Sequence, residues 1–388
     1  MKNRLLILRL YAALSVMALC SYAMQSQPMF GPREDKCIMP NTIDEASGIA
    51  ASVLHNNMYW LHNDSGDEPR IFLVDSLCSL RAVIRFANIQ NRDWEDIAVG
   101  KGPLENSSYI YIGEIGDNNA VYSEKSIIRC QEPKIPSTNK DTTLTQFDIL
   151  RYTYPDGNRD AETVLLDPLT KDIFIVSKRE DNVGVYRFPF PQSVSEVTIL
   201  QKVAILPLTG IVGGDISPNG MEILLKSYAN MYYWKRNSAE MIEQTFSRPF
   251  TLVPYELEPQ GEAVCWTSTG AGYITVSEES PLKIPAHLYY YPRQSMTNIQ
   301  DKELDNDNMV RIYYHNNAKV VFHIMCASGE RVHAEIYDVS GKRIHTLLHD
   351  TSYTDIVRCE WDNTLYGVYF CKVTVNNSVF IYPFYMIR

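Results

Sequence analysis

The feature that most constrains the fold is a repeat in which one or two carboxylates stand directly before an apolar strand. Five segments carry this repeat: DEASGIAAS from Asp44, DWEDIAVG from Asp93, RDAETVLLD from Arg159, GGDISPNG from Gly213 and QGEAVCWT from Gln260. With Glu45, Glu95, Glu162, Asp215 and Glu262 as markers, the steps between them are about 50, 67, 53 and 47 residues. Repeats of this period are typical of the blades of a β-propeller.

After each acidic segment the sequence predicts a turn and a second apolar strand that ends in polar residues. The five endings are MYWLHNDSGD, YIYIGEIGDN, IFIVSKRED, EILLKSYAN and YITVSEES. Aromatic and β-branched residues are frequent and no long segment has helical periodicity, so the sequence predicts an all-β fold. We expect a five-bladed β-propeller over residues 30–292, closed by an outer strand from residues 33–40. Six blades are the alternative, since residues 120–155 leave room for a degenerate blade.

The topology of a blade predicts where the polar residues meet. The first two strands are antiparallel, so the start of the first and the end of the second lie on the same face of the propeller. We call the end of the central channel on this face the mouth. The predicted metal ligands at the mouth are Glu45, Asp64, Glu95, Asp96, Asp160, Glu162, Asp215 and Glu262. The predicted ligand-binding residues are Asn63, Asn118, Lys178, Arg179 and Lys226. Crowded carboxylates are costly unless a cation compensates them, which favours Ca²⁺.

A structural interpretation of these acids stays open at the level of the sequence. Aspartates such as Asp64 and Asp215 often cap turns by accepting backbone N–H groups, and Lys178 could neutralise its neighbours. The sequence contains no D-x-D-x-D-G calcium-binding loop. The acids are therefore either a cation site or a hydrogen-bonded network that ties the blades together.

Two classes of function fit the predicted mouth. The first is binding of a ligand or protein, with or without Ca²⁺. The alternative is a Ca²⁺-dependent hydrolase of phosphoester or lactone substrates, with His62 or Glu114 as the general base. No G-x-S-x-G, phosphate-binding loop or dinucleotide fingerprint occurs, so neither serine catalysis nor nucleotide chemistry is supported.

The N-terminal residues predict export. Lys2, Arg4 and Arg9 precede an apolar run, and small residues at 21 and 23 indicate a signal peptide over residues 1–23. Lipid modification of Cys20 is the alternative. No other apolar run is long enough for a transmembrane helix. The formal net charge of −10 argues against a nucleic-acid partner, and the scattered cysteines form no CxxC pair.

Taken together, the segments WLHNDSGD, DWEDIAVG, YIGEIGDN, YPDGNRDAE, GGDISPNG and QGEA resemble an uncharacterised family of secreted bacterial β-propellers. This family is loosely grouped with phytase-like and esterase-like propellers. The resemblance covers about residues 40–292. The resemblance implies the propeller fold. A fold shared with calcium-dependent phosphoesterases and lactonases does not imply that this chain has their chemistry.

The C-terminal part predicts a separate domain. Residues 293–308 are polar and charged and indicate a linker, and about seven alternating strands follow over residues 309–388, which suggests a small Ig-like β-sandwich. The phrases IYDVSGKRIHTL and WDNTLYGVYFCKVTVNN resemble the C-terminal sorting domain of type IX secretion cargo. This resemblance implies the type IX machinery as a partner, and secretion or attachment at the outer-membrane surface. The ending FIYPFYMIR departs from the usual basic tail.

Overall fold

The computed structural model describes residues 29–135, 141–279 and 284–294, and most of residues 310–386 with short gaps. The predicted signal peptide and most of the predicted linker lie outside the described residues. Among the residues that are described, no helix is long and apolar enough to cross a membrane.

The described chain opens with β1 (Glu34–Ile38), and two sheets follow. Sheet 1 contains β2 (Ala46–Ala51), β3 (Met58–Asn63), β4 (Arg70–Asp75) and β5 (Leu80–Phe86). Sheet 2 contains β6 (Trp94–Lys101), β7 (Ser108–Glu114), β8 (Lys125–Gln131) and β10 (Asp148–Thr153). Strand β9 (Asp141–Leu144) lies between β8 and β10 in the chain but pairs with β5 of sheet 1 in parallel. It therefore links the two sheets at their outer edges.

Three more sheets repeat the pattern. Sheet 3 contains β11 (Ala161–Leu166), β12 (Ile173–Ser177), β13 (Val183–Phe188) and β15 (Gln201–Leu206), while β14 (Thr198–Ile199) joins sheet 2 beside β10. Sheet 4 contains β16 (Ile211–Ile216), β17 (Glu222–Ser227), β18 (Met231–Lys235) and β19 (Thr251–Val253), with helix α1 (Ile242–Phe246) before its last strand. Sheet 5 contains β20 (Gly261–Trp266), β21 (Gly272–Ser277), β22 (His287–Pro292) and β1.

The first strands of the five sheets form a closed ring. Strand β2 contacts β6, β6 contacts β11, β11 contacts β16, β16 contacts β20, and β20 returns to β2. Each sheet then extends outward through antiparallel neighbours. Radial sheets around a ring of first strands are the architecture of a β-propeller, and the prediction of an all-β fold is confirmed.

The ring is closed by the N-terminal strand, as the sequence predicts. Strand β1 pairs antiparallel with β22, so the start of the described chain completes the sheet built from the end of the repeat. A disulfide between Cys37 and Cys78 then ties this closing strand to the turn between β4 and β5 of sheet 1. The cysteines described as free, which include Cys371, are buried.

The first strands are buried on both faces, which explains their small residues. All six residues of β11 and of β20 are buried, since each first strand lies between two neighbouring sheets. A Cβ atom at Gly48 would lie 2.6 Å from His62 Nε2 and 2.9 Å from the backbone nitrogen of Ile97. Glycine in β2 therefore permits sheets 1 and 2 to approach each other closely.

Each first strand has a β-bulge at the same place. The register with the second strand shifts between Ala46 and Gly48, Trp94 and Asp96, Ala161 and Thr163, Ile211 and Gly213, and Gly261 and Ala263. The extra residues are Ser47, Glu95, Glu162, Val212 and Glu262. A bulge re-aims the side chain of its extra residue. The predicted equivalence of Glu45 and Asp215 with the three glutamates is therefore wrong, because Ser47 and Val212 hold those positions.

The C-terminal strands form two sheets. One contains β23 (Val310–Asn316), β24 (Lys319–Met325) and β27 (Ile356–Asp362). The other has the order β26 (Arg343–Thr351), β25 (Arg331–Asp338), β28 (Gly367–Val375) and β29 (Ser378–Met386). Phe322 and Ile324 of the first sheet share a buried cluster with Val332, Val373 and Phe384 of the second. The two sheets therefore pack on one apolar core.

Candidate functional site

Three bulge residues place their carboxylates together at one end of the ring. Glu95 of β6, Glu162 of β11 and Glu262 of β20 each offer an oxygen, and these oxygens lie within 4.8 Å of one another. All three residues are buried, at 4%, 4% and 6% exposure. We call Glu95, Glu162 and Glu262 the glutamate cluster. It is assembled by the tertiary fold, since its members come from three different sheets.

Three side chains donate hydrogen bonds into the glutamate cluster. Ser47 Oγ lies 3.3 Å from Glu95 Oε2 and 3.3 Å from Glu262 Oε2, so a single hydroxyl lies between the two carboxylates. The Tyr228 hydroxyl donates to Glu262 Oε1, and Lys178 Nζ donates to Glu162 Oε1. Glu162 Oε2 is buried and has no hydrogen-bond partner among the described residues.

The charges in the cluster are not balanced by the side chains around it. Burial raises the pKa values of Glu95 and Glu162 well above the ordinary value, and the neighbouring carboxylates raise them further. Burial alone would lower the pKa of Lys178, but the carboxylates of Glu162 and Glu262 outweigh it and raise that pKa. One ammonium group thus faces three carboxylates, an arrangement that requires protons or a bound cation.

A second acidic group shares Glu95 with the glutamate cluster. One oxygen from each of Asp64, Asp93 and Glu95 lies within 4.8 Å of the others, and the two aspartates are only partly buried. Burial and the nearby carboxylates raise the pKa of Asp64 to about 6. A Cβ atom at Gly116 would lie 2.4 Å from Asp93 Oδ2 and 2.3 Å from Glu95 Oε1, so only glycine leaves room for both.

Two of the predicted metal ligands accept hydrogen bonds from backbone nitrogens of two sheets. Asp96 accepts hydrogen bonds from the backbone nitrogens of Ile97 at 2.8 Å and of Val164 in the next sheet at 2.7 Å. Asp215 accepts from Ile216 at 2.8 Å and from Trp266 in sheet 5 at 2.8 Å. Neither belongs to the two groups of three acidic residues whose oxygens lie within 4.8 Å of one another in the described chain. Both carboxylates tie one sheet to the next, and a role of either residue as a metal ligand stays a prediction.

A network at the rim of sheets 2 and 3 engages three further predicted residues. Asp160 accepts from the backbone nitrogen of Asp117 at 2.7 Å and from Arg179 Nε at 2.5 Å. Arg179 also donates to Asn118 Oδ1. Glu45 is exposed at the rim of sheet 1, where its backbone oxygen accepts from the nitrogen of Asp64 at 2.8 Å. These residues surround the glutamate cluster without joining it.

Asn63 and Lys226 have local partners that favour a supporting role. Asn63 Nδ2 donates to the backbone oxygen of Thr42 at 3.0 Å and to Asp67 Oδ2 at 3.1 Å. Lys226 is fully buried, donates to the backbone oxygen of Gly261 and lies 4.6 Å from the ring centroid of Tyr255. Burial lowers the pKa of Lys226 to about 8. Contact of either residue with a ligand stays a prediction.

The two predicted general bases lie outside the glutamate cluster. His62 is fully buried, its Nδ1 lies 2.9 Å from the backbone oxygen of Asn63, and its ring packs edge-on against Trp94. Burial lowers the pKa of His62 to about 4. Glu114 is partly buried and forms an ion pair with Arg92 at 3.5 Å. A role of either residue as a general base stays a prediction.

Sequence reasoning missed Ser47, Tyr228 and Asp93. Ser47 stands in the EASGIA segment, and the signal that could have found it is the position of the bulge two residues after Glu45. Asp93 directly precedes the Trp94 that begins β6. Tyr228 follows the polar end of β17. Its contact with Glu262 depends on how sheets 4 and 5 pack.

The donor atoms of the cluster are suited to a hard cation. Carboxylate oxygens and hydroxyl oxygens are the ligands that Ca²⁺ prefers, and its coordination tolerates irregular geometry. Glu95, Glu162 and Glu262 would hold such an ion, and Glu162 Oε2, which has no hydrogen-bond partner in the described part of the chain, is an acceptor inside the cluster. Ser47 and Tyr228 supply neutral oxygens beside it.

Comparisons with known proteins assign no activity. No protein-family model matches the sequence, and no curated protein matches it. Similar solved structures include a nidogen–laminin complex, with 12% identity, a TM-score of 0.36 and coverage of 80% of this chain and 82% of that chain. A protein from Lactobacillus plantarum has 14% identity, a TM-score of 0.30 and coverage of 81% and 87%. A protein assigned as TolB from Agrobacterium tumefaciens has 9% identity, a TM-score of 0.35 and coverage of 82% and 91%.

Proposed function

We propose that the chain is a five-bladed β-propeller that binds a ligand or protein at its acidic mouth through Ca²⁺ held by the glutamate cluster. Each of sheets 1 to 5 forms one blade in this proposal. The observation that carries it is the buried Glu162 Oε2, which has no hydrogen-bond partner among the described residues although it lies within a group of three carboxylates. A buried acceptor of this kind is costly unless something binds it.

The surroundings of the cluster favour a cation over protons alone. Lys178 is the single ammonium described in contact with the three glutamates, and its bond to Glu162 leaves Glu95 and Glu262 to share the Ser47 hydroxyl. Glu278, which follows β21, adds a further carboxylate whose pKa burial and Glu262 raise to about 9. A divalent cation would neutralise this excess and stabilise the ionised carboxylates.

Binding is favoured over hydrolysis because neither of the two predicted bases belongs to the glutamate cluster in the described chain. Of the two predicted bases, His62 is fully buried and packs closely against Gly48, and Glu114 forms an ion pair with Arg92. Tyr228 and Lys178, whose side chains contact each other as well as the cluster, are the polar groups placed to meet a bound ligand. The tyrosine hydroxyl and the ammonium group are hydrogen-bond donors, which suits an oxygen-rich or anionic ligand group.

The proposal is tested by a calcium titration of the protein by calorimetry and by thermal unfolding. We expect the wild-type protein to bind Ca²⁺ and to unfold at a higher temperature in its presence. We expect Glu162→Gln to weaken Ca²⁺ binding at least tenfold. Glu114→Gln is the matched control, since Glu114 is a glutamate at the same end of the ring that lies outside the cluster. No calcium-dependent shift in the wild-type protein would contradict the metal site.

A screen for esterase, lactonase and phosphatase activity separates the two function classes. A calcium-dependent shift without turnover supports the binding protein. Turnover that Glu162→Gln abolishes, and Glu114→Gln leaves intact, would move the assignment to a hydrolase.

We further propose that the chain is exported and passes the outer membrane through the type IX machinery. The support is the sequence resemblance of residues 309–388 and the predicted signal peptide. Expression in a host with this secretion system tests it. A chain that ends at residue 308 is expected to accumulate in the periplasm, whereas the full chain reaches the surface or the medium. Equal export of both chains would contradict the proposal.

A further inference from the structure

Two histidines face each other on neighbouring strands of the C-terminal sheets, far along the chain from the glutamate cluster. His333 of β25 pairs directly with His349 of β26, and their ring centroids lie 4.5 Å apart at an interplanar angle of 86°. Glu335 is two residues beyond His333 on the same strand, so its side chain lies on the same face of the sheet. His333 Nε2 lies 3.1 Å from Glu335 Oε1.

We propose that His333, His349 and Glu335 form a binding site for a divalent transition-metal ion of the zinc class. Imidazole nitrogen and carboxylate oxygen bind Zn²⁺ at about 2.0–2.2 Å, so two such donors on one ion lie roughly 3 Å apart. The contact between His333 and Glu335 already has this separation. The two ring centroids lie 4.5 Å apart, and the three donor atoms do not yet all lie within 4.8 Å of one another, so side-chain rotation has to bring them together.

Strand pairing holds His333 and His349 opposite each other before an ion binds. Directly opposite residues of an antiparallel pair keep a short and fixed Cβ separation, so the two imidazoles need only side-chain rotation to converge. His333 and His349 are both partly or fully accessible to solvent, and an ion would reach them without opening the core. Rotation of two side chains is a small reorganisation compared with moving a strand.

The carboxylate of Glu335 is shared between several donors. Arg343 Nη1 lies 2.8 Å from Glu335 Oε1, while the Tyr337 hydroxyl donates to Oε2 at 2.8 Å. The guanidinium therefore competes with an ion for Oε1. Because the Arg343 side chain is 60% exposed, it can swing into solvent.

This site and the glutamate cluster would select different ions. The cluster offers only oxygen ligands, which suit Ca²⁺ and Mg²⁺, whereas imidazole nitrogen favours zinc, nickel and copper. Saturating Ca²⁺ is therefore expected to leave the histidine site free. The proposal does not depend on calcium binding at the mouth.

The test is a calorimetric titration of the full-length, untagged chain with Zn²⁺ in the presence of excess Ca²⁺. We expect His333→Ala and His349→Ala each to lower Zn²⁺ affinity at least tenfold. His345→Ala is the matched control, since His345 is an exposed histidine on the same strand and pairs with Ile336. Arg343→Gln is expected to raise Zn²⁺ affinity several-fold, because it removes the competing guanidinium from Glu335.

Circular dichroism and the unfolding temperature confirm that each variant is folded. Zn²⁺ affinity that stays unchanged in the double variant His333→Ala/His349→Ala would overturn the proposal. A loss of affinity in His345→Ala equal to that in His349→Ala would overturn it as well. Glu162→Gln should leave the Zn²⁺ titration unchanged, which separates this site from the glutamate cluster.

Discussion

Two kinds of buried acid lie within the same ring of first strands, and they differ in what their oxygens contact. Asp96 and Asp215 each accept two backbone N–H bonds, one of them from the neighbouring sheet. Glu162 has one oxygen on Lys178 and one with no partner among the described residues. Burial raises the pKa of all three. The perturbed pKa therefore does not distinguish a structural acid from a candidate ligand, whereas the hydrogen-bond partners do.

The difference follows from side-chain length and from the β-bulge. Asp96 is the residue after the bulge in β6, and its short side chain reaches the backbone of β11. Glu95 is the extra residue of the same bulge, and it turns toward the other glutamates. Of these two neighbouring residues, Asp96 thus ties sheet 2 to sheet 3, and Glu95 contributes to the glutamate cluster.

The largest effect is expected from removing a structural acid. Asp96→Ala leaves two buried backbone nitrogens without an acceptor, so the free energy of unfolding should fall by about 3 kcal/mol. Urea unfolding at pH 7 measures this change. Asp93→Ala is the control, because Asp93 is only partly buried, and it should cost less than half as much. Equal losses in both variants would contradict the structural role of Asp96.

The second prediction compares a substitution in the glutamate cluster with a substitution of a structural acid. Glu162→Gln should weaken Ca²⁺ binding about a hundredfold, or roughly 2.7 kcal/mol, while the calcium-free protein gains about 1 kcal/mol because a disfavoured charge is removed. Asp215→Asn should leave Ca²⁺ affinity unchanged. Calorimetry and urea unfolding measure the two quantities. Reduced Ca²⁺ affinity in Asp215→Asn would show that the distinction between the two kinds of acid is wrong.

A smaller effect is expected from pH. The pKa values of Glu95 and Glu162 are raised in the folded state, and that of Glu278 is raised to about 9. The folded protein therefore binds more protons than the unfolded chain between their unfolded and folded pKa values, and stability falls as pH rises. Without calcium, we expect a loss of about 2 kcal/mol between pH 6.5 and pH 8.

The opposing effects of His62 and Lys226 fall mainly outside this window. Burial lowers the pKa of His62 to about 4, which acts mainly below pH 6.5, and lowers that of Lys226 to about 8, which acts mainly above that pH. Unfolding temperatures at three pH values, with and without Ca²⁺, measure the effect. Saturating Ca²⁺ should reduce the slope, and Glu278→Gln should flatten part of it. Stability that rises over this window would contradict the raised pKa values.

The smallest effect concerns a donor to the cluster. Tyr228→Phe removes the hydroxyl that donates to Glu262 Oε1, and we expect the calcium-free protein to lose about 1 kcal/mol. Tyr290→Phe is the comparison, since its hydroxyl binds the backbone oxygen of Ala271 at an exposed position. It should cost less than 0.5 kcal/mol, roughly the value for surface changes. Chemical denaturation of both variants checks the difference.

Much of the fold follows from local patterns. Repeated apolar strands with turns predict the all-β propeller, and the segment before the first repeat predicts the closing strand β1. Glu95, Glu162 and Glu262 are found because their segments carry the same local signal. The predicted alignment of Glu45 and Asp215 with the three glutamates fails because a shift of two or three residues in a repeat cannot be seen until the strands are paired.

The sequence by itself determines the strand composition, the period of the repeat and the excess of acids before the first strands, since these depend only on near neighbours in the chain. Tertiary structure decides which acids meet, because the bulge sets the direction of each side chain. It also decides which acids are satisfied, because the donors come from other sheets. Ser47 and Glu262 are 215 residues apart in the chain, and only the closed ring brings the hydroxyl and the carboxylate into contact.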